Sequence, residues 1–256
     1  MVQQLLKDGS RYIAAKQTCI PNTAKFDLPE FALCGPTSSA RYEIERFIEL
    51  QFFKGYGAEL SEYLPWFVTM SLQSGLTAAS GFALAVDKTP LFLERYLRVP
   101  IEQALSDQLK SSVSRVRIAE VGNLAGSGVE SGSIGSSRLL YIVLASTLAA
   151  AGLEWMVFTA TAPLLHSLAR LGLKPIDIGP ASQLSLDEAE RGRWGSYYEH
   201  NPRVIAAPLV SAHESIRNRA VFASIQRHYS GVIEAMALEL TGRHPTSRRY
   251  HSSESL

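Results

Sequence analysis

Residues 115–161 read RVRIAEVGNLAGSGVESGSIGSSRLLYIVLASTLAAAGLEWMVFTAT, and the fold turns on this stretch. Arg115–Leu124 carries Val116, Ile118 and Val121 in near-alternation and reads as a strand. A run rich in Gly and Ser follows (125–138, AGSGVESGSIGSSR). It leads into fifteen uncharged residues, Leu139–Leu153, that read as a helix beginning near Ser136. Glu154–Ala160 reads as a second, central strand. A Gly-Ser loop opening a helix suggests an anion site: unpaired backbone N–H groups and the positive end of the helix dipole attract phosphate, and glycine lets the backbone come close. The run is neither a P-loop nor a dinucleotide fingerprint, since no Gly-Lys-Ser/Thr follows and GSGVESG is not G-x-G-x-x-G.

Upstream, Ser39–Leu60 has apolar residues at helical spacing, with Ser38 or Ser39 as the expected cap. A short helix is expected over SEYLPW, limited by Pro65. Trp66–Gln73 and Leu76–Val86 read as a hairpin. Leu91–Leu97 and Ile101–Leu109 read as short helices split by Pro100. Downstream come a helix at Ala162–Leu171, strands at Lys174–Ile178 and Val204–Leu209, and a helix within Ser211–Leu240. Such alternation predicts an α/β fold, a mixed sheet with helices on both faces. The expected organisation is an N-terminal extension (1–24), one domain (25–240) and a polar tail (241–256) predicted to be disordered.

Composition narrows the function. With 46% hydrophobic and 19% charged residues, the 256-residue chain has enough apolar content for a packed core. A net charge of +1 gives no electrostatic footprint for nucleic acid. Cys19 and Cys34 make no disulfide framework, and the six histidines lack metal-ligand spacing, so no metal is expected. Leu139–Leu153 falls short of the roughly 20 apolar residues a bilayer span needs, and predicts a core helix. The N-terminus lacks a secretory pattern, so the expectation is a cytoplasmic protein without a transmembrane span.

Several islands recur in a fixed order: LFLERYL (91–97), PIE (100–102), AEVGNLAG (119–126), WMVFTAT (155–161), LARLGLKP (168–175) and WGSYYEHNPRV (194–204). Together they resemble the thermostable hemolysin family over about residues 41–209. The pattern is also similar to the GNAT-type N-acyltransferases, in particular the acyl-homoserine-lactone synthases. That resemblance implies a GNAT-like mixed sheet whose two central parallel strands, here 115–125 and 155–161, splay apart around an acyl donor's pantetheine arm. The implied co-substrate is an acyl-CoA or an acyl-phosphopantetheine on acyl carrier protein, with no tightly bound cofactor. Its implied contacts are Leu124, Ala125, Gly126, Gly135, Ser136, Ser137 and Arg138 at the loop, and Thr159 and Thr161 at the second strand. The chain departs from the GNAT pattern in two places. Leu168 stands where a proton-donating tyrosine is common, and the loop lacks Gln/Arg-x-x-Gly-x-Gly/Ala. Both departures bear more on acetyl transfer than on acyl transfer in general.

Glu120 sits in a strand that otherwise reads as buried. Burial raises a carboxylate's pKa toward the range useful to a general base, which an amine nucleophile needs. The alternative is a structural ion pair with Arg41 or Arg117. Asn123 is expected either to donate to a developing oxyanion or to satisfy a strand-end bulge. Arg41 and Glu94 are candidate acceptor-binding residues, with a helix-surface charge as the alternative for Glu94. Trp194, Tyr197 and Tyr198 are expected to line the acceptor or acyl pocket, or to cap the core. His166 reads as a core histidine. The expected function is acyl transfer to a small-molecule amine, an amino acid or a derivative. A membrane-active hemolysin and a non-catalytic acyl-thioester binder are the other readings.

Overall fold

A computed structural model describes residues 28–86, 89–127, 135–170, 175–209 and 220–242. The expected N-terminal extension, residues 128–134 of the glycine-serine loop, Leu171, Lys174, residues 211–219 and the tail beyond Gly242 lie outside the described residues. The strands are β1 (Glu30–Cys34), β2 (Trp66–Leu72), β3 (Gly75–Leu84), β4 (Ile118–Gly126), β5 (Trp155–Ala160), β6 (Ile176–Pro180) and β7 (Arg203–Pro208). The helices are α1 (Arg41–Tyr56), α2 (Ile101–Leu109), α3 (Ser136–Ala150), α4 (Ala162–Arg170), α5 (Glu188–Arg191), α6 (Ala220–His228) and α7 (Ser230–Leu240).

The strands form one mixed sheet in the order β1-β2-β3-β4-β5-β7-β6. Every neighbouring pair is antiparallel except β4 and β5, which are parallel. That parallel contact is short: Ile118 faces Trp155, Ala119 faces Met156, Glu120 faces Val157, and the pairing ends there. β4 stays paired with β3 as far as Gly126, and β5 with β7 as far as Ala160. The two strands therefore part beyond Glu120, as the resemblance implied.

Alternation along the strands sorts side chains onto two faces. On one face Val68, Met70, Phe82, Ala119, Val121, Met156 and Phe158 join α3 and α7 in the largest apolar cluster. On the other, Ile118, Val157, Val204 and Ala206 pack with Leu93 and α2, while Phe67, Ala79 and Ala125 pack with α1. Helices thus cover both faces. α3 is buried continuously from Leu139 to Leu148, because the sheet covers one side and α6 and α7 cover the other. A helix enclosed in this way is apolar all round. Among the described residues no helix is long and apolar enough to cross a membrane.

Local departures have local causes. SEYLPW is not helical; residues 61–64 are irregular, and the Leu64 N–H bonds the Asn123 side chain. The cap of α1 is Ala40 rather than Ser38 or Ser39, with the Ser38 hydroxyl accepting the Ala40 N–H at 3.3 Å. Arg115–Arg117 forms a 3-10 turn before β4 begins. The C-terminal helical segment is two helices, α6 and α7, that meet at Tyr229. His166 is exposed on α4 rather than facing the core.

Candidate active site

Where β4 and β5 part, a cleft of about 900 Å³ opens. The strand alternation determines what lines each half. From the face carrying α3 come Val121, Leu124, Phe158, Ser137 and Tyr141, joined by Pro163 and Leu164 of α4. From the face carrying α1 come Glu120, Thr159, Leu64, Phe92, Trp194 and Tyr197. The cleft therefore passes through the sheet, with the parting strands as its waist.

Glu120 stands at that waist and is 4% exposed. Neither Arg41 nor Arg117 pairs with it. One carboxylate oxygen accepts the Phe92 N–H at 2.7 Å and the other the Leu93 N–H at 3.0 Å, at the start of the 3-10 helix Phe92–Tyr96. Burial pushes its pKa up to about 7, against the opposing pull of these two amide bonds. The result is a carboxyl fixed in direction, with lone pairs remaining, that is partly ionised near neutral pH. Arg117 instead bonds Gly152 O at 2.5 Å.

Asn123 lies three residues on, with φ +49, where β4 bulges against β3 between Ala79 and Gly81. Left-handed φ is tolerated by Asn better than by most residues. Its Oδ1 accepts the Leu64 N–H at 3.0 Å, which leaves Nδ2 as a donor without a protein acceptor among the described residues. Gly81 makes room for this arrangement: a Cβ there would fall 2.8 Å from Asn123 Oδ1.

The aromatic residues split. Tyr197 lines the cleft and donates from its hydroxyl to Thr159 Oγ1 at 3.2 Å; burial pushes its pKa up to about 12. Trp194 also lines the cleft, 5.3 Å from Tyr197 and 6.2 Å from Phe92 between ring centres. Tyr198 turns away, its hydroxyl 2.6 Å from that of Tyr96, and burial raises the pKa of both. The segment holding these rings is tied to the end of α1: Ser196 N–H and hydroxyl both bond Tyr56 O. Gly195, at φ +50, is required there because a Cβ would collide with Tyr56 O.

Glu94 and Arg41 are committed elsewhere. Although Glu94 lines the cleft, its oxygens accept the Leu91 and Ile101 N–H groups at 2.7 and 2.8 Å and two bonds from Arg115 at 2.6 and 3.0 Å. Burial alone would raise its pKa, but the Arg115 bond and the two amides outweigh that and hold it below the ordinary value. Arg115 also pairs with Glu102 at 2.7 Å, tying the turn at Phe92–Tyr96 to α2. Arg41 stands outside the cleft, bonded to Glu45 at 2.7 Å and to the Pro65 and Leu64 carbonyls. Arg41 thus lies away from the cleft, while Glu94 borders it with its oxygens engaged by Arg115 and two amides.

Of the expected donor contacts, Leu124, Ser137, Thr159 and Thr161 line the cleft. Ala125 faces the other way, into the cluster beneath α1. Gly126 lies under the Ser137 hydroxyl, Gly135 starts α3 and Ser136 is buried. Arg138 is half-buried on the first turn of α3. Tyr141, Leu64 and Arg95 also line the cleft but were not singled out in the sequence. Tyr141 is hidden in an apolar run, and Leu64 in a segment read as helix. Arg95 is visible only as a neighbour of Glu94; its guanidinium holds both Glu190 oxygens and stacks 3.7 Å over the Phe92 ring. Among the described residues no group of His, Cys, Asp or Glu could hold a metal ion.

No curated protein matches the chain. Among solved structures, the acyl-homoserine-lactone synthase LasI is 13% identical, with 72% of this chain and 91% of that chain covered and a TM-score of 0.47. FeeM, an N-acyl amino acid synthase from uncultured soil microbes, is 12% identical, with 77% and 98% covered and a TM-score of 0.48. BjaI, a CoA-dependent acyl-homoserine lactone synthase with SAM and isopentyl-CoA, is 10% identical, with 85% and 92% covered and a TM-score of 0.46. The family model described as thermostable hemolysin matches residues 34–213, and the chain belongs to that family.

Proposed function

We propose that the chain is an N-acyltransferase that moves an acyl group from an acyl-CoA or acyl carrier protein thioester to the amine of an amino acid or a derivative. The observation that carries this reading is Glu120: a buried carboxyl with a pKa near 7, held by two amides at the waist of a cleft between parting parallel strands. A base is most effective when its pKa lies near the working pH.

The geometry supports a division of labour. Beyond Glu120 the edge of β4 that faces β5 has no strand partner, so its peptide groups can pair with an extended, amide-bearing arm. Phosphates of such an arm fit the start of α3, where Gly135, Ser136, Ser137 and Arg138 lie. Leu124, Gly126 and Thr161 flank the arm along the strands. The acceptor amine approaches from the aromatic side, past Trp194 and Tyr197, towards Glu120. Glu120 takes a proton from the ammonium group, and the freed nitrogen bonds to the thioester carbon. The Asn123 Nδ2–H steadies the oxygen that becomes negative. The carbon–sulfur bond then breaks, and the nitrogen's surplus proton goes to the departing thiolate. The products are an amide and a free thiol.

Incubation of the protein with acyl-CoAs of graded length, with acyl carrier protein thioesters and with a panel of amino acids, followed by thiol detection, tests the reading. Amine-dependent thiol release is expected, with kcat/KM rising through about pH 7 and falling about 10²- to 10⁴-fold in E120Q. No release above background with any donor would overturn the proposal.

A further inference from the structure

One buried hydroxyl lining the cleft has no partner among the described residues. Tyr141, on α3, lines the cleft and is 4% exposed, yet its hydroxyl has no hydrogen-bond partner among the described residues. The ring packs edge-on against Phe158, centroids 6.1 Å apart, within a cluster composed of apolar side chains. A buried hydroxyl left unpaired is costly and uncommon, and the cleft is the open side from which a partner can come. Ser137, which also lines the cleft, precedes Tyr141 by four residues on the same face of α3. Their Cα atoms are therefore about 6 Å apart along the helix axis. α3 runs back along β4 from the Gly126 end, where Ser137 sits, so Tyr141 lies one turn deeper towards the waist.

We infer that Tyr141 is a specificity-determining residue. Its hydroxyl bonds an amide carbonyl of the donor's arm, so the α3-side half of the cleft takes an amide-bearing chain and the acyl hydrocarbon lies among the aromatic rings beyond the waist. This inference rests on the donor reading above. It makes opposite demands on one substitution. Y141F removes only the orphaned oxygen, so the unliganded variant melts about 2–4 °C higher. The same variant binds coenzyme A about tenfold more weakly, because the hydroxyl is satisfied only when the arm is present.

The test is calorimetric titration of wild type and Y141F with coenzyme A, with dodecanoate and with 3-hydroxydodecanoate, together with melting curves of both proteins without ligand. The expected result is a higher melting temperature and a tenfold loss confined to coenzyme A, with both fatty acids unaffected. Equal coenzyme A affinity in the two proteins overturns the assignment and leaves the transferase reading standing. A loss confined to 3-hydroxydodecanoate overturns the placement of the arm by showing that the hydroxyl meets the acyl chain. Wild type that binds neither coenzyme A nor, in a parallel titration, acyl carrier protein overturns the donor reading and the assignment with it.

Discussion

Replacing Glu120 by Gln should change how stability depends on pH, whatever it does to turnover. The folded protein raises this carboxyl from its ordinary 4.5 to about 7, chiefly through burial. At 1.36 kcal/mol for each pH unit between the two values, keeping the group ionised in the fold costs about 3 kcal/mol. The sign follows from linkage: a raised pKa contributes stability that is fully present below about 4.5 and lost as pH rises through about 7. Gln does not titrate. It also turns an NH₂ towards either the Phe92 or the Leu93 N–H, which imposes a pH-independent penalty of about 1–3 kcal/mol. The informative quantity is therefore the difference between the two proteins as a function of pH, in which the constant penalty appears only as an offset. Urea titrations of both proteins between pH 4.5 and 8.5 should show wild type losing about 3 kcal/mol relative to E120Q across this range. In melting temperature that is roughly 6–12 °C. Parallel curves would show that Glu120 has the same proton affinity folded and unfolded, and would refute the assignment of a tuned base.

Substitutions at Gly81 and Arg115 probe the scaffold of the cleft, with Gly179 as a control away from it. G81A places a methyl 2.8 Å from Asn123 Oδ1 and 3.1 Å from Leu64 Cβ, and should destabilise by about 1–3 kcal/mol in chemical denaturation. G179A on β6, where a Cβ meets nothing within 4 Å, should be nearly silent in the same measurement. R115A leaves Glu94, whose side chain is 11% exposed, without its arginine; about 3 kcal/mol of stability is expected to be lost at neutral pH, with partial recovery in the E94Q/R115A double variant. Because Arg115 and two amides hold Glu94 below its ordinary pKa, wild type should also lose stability as pH falls below about 4.5, a loss that R115A removes.

What could be read from the chain alone was whatever depends on neighbours in sequence. The hairpin of β2 and β3, the core helix α3 and the two central strands are each written in local apolar patterns, and their positions emerge within a few residues. Glu120 could be seen because a carboxylate among Ile118, Ala119 and Val121 breaks such a pattern. What escaped depends on distant partners. Residues 61–64 are irregular because Asn123, 59 residues away, holds Leu64. The lone pairs of Glu94 are taken up by Arg115, 21 residues on, and by the Leu91 and Ile101 amides. For Arg41 the i,i+4 partner Glu45 is local, but the Pro65 carbonyl it also takes is 24 residues away. Tyr141 gave no signal at all, since in an apolar run a tyrosine reads as one more large side chain.

The parting of β4 and β5 has a mechanical consequence. Three residue pairs are the whole seam between a four-stranded half-sheet and a three-stranded one, too little to hold the halves in register by themselves. α3 works as a splint across that seam: its buried side chains share one cluster with Val68 and Phe82 on one side and with Met156, Phe158 and Ile205 on the other. An opening in a sheet has to be braced from outside it, and a helix buried continuously from Leu139 to Leu148 supplies that brace.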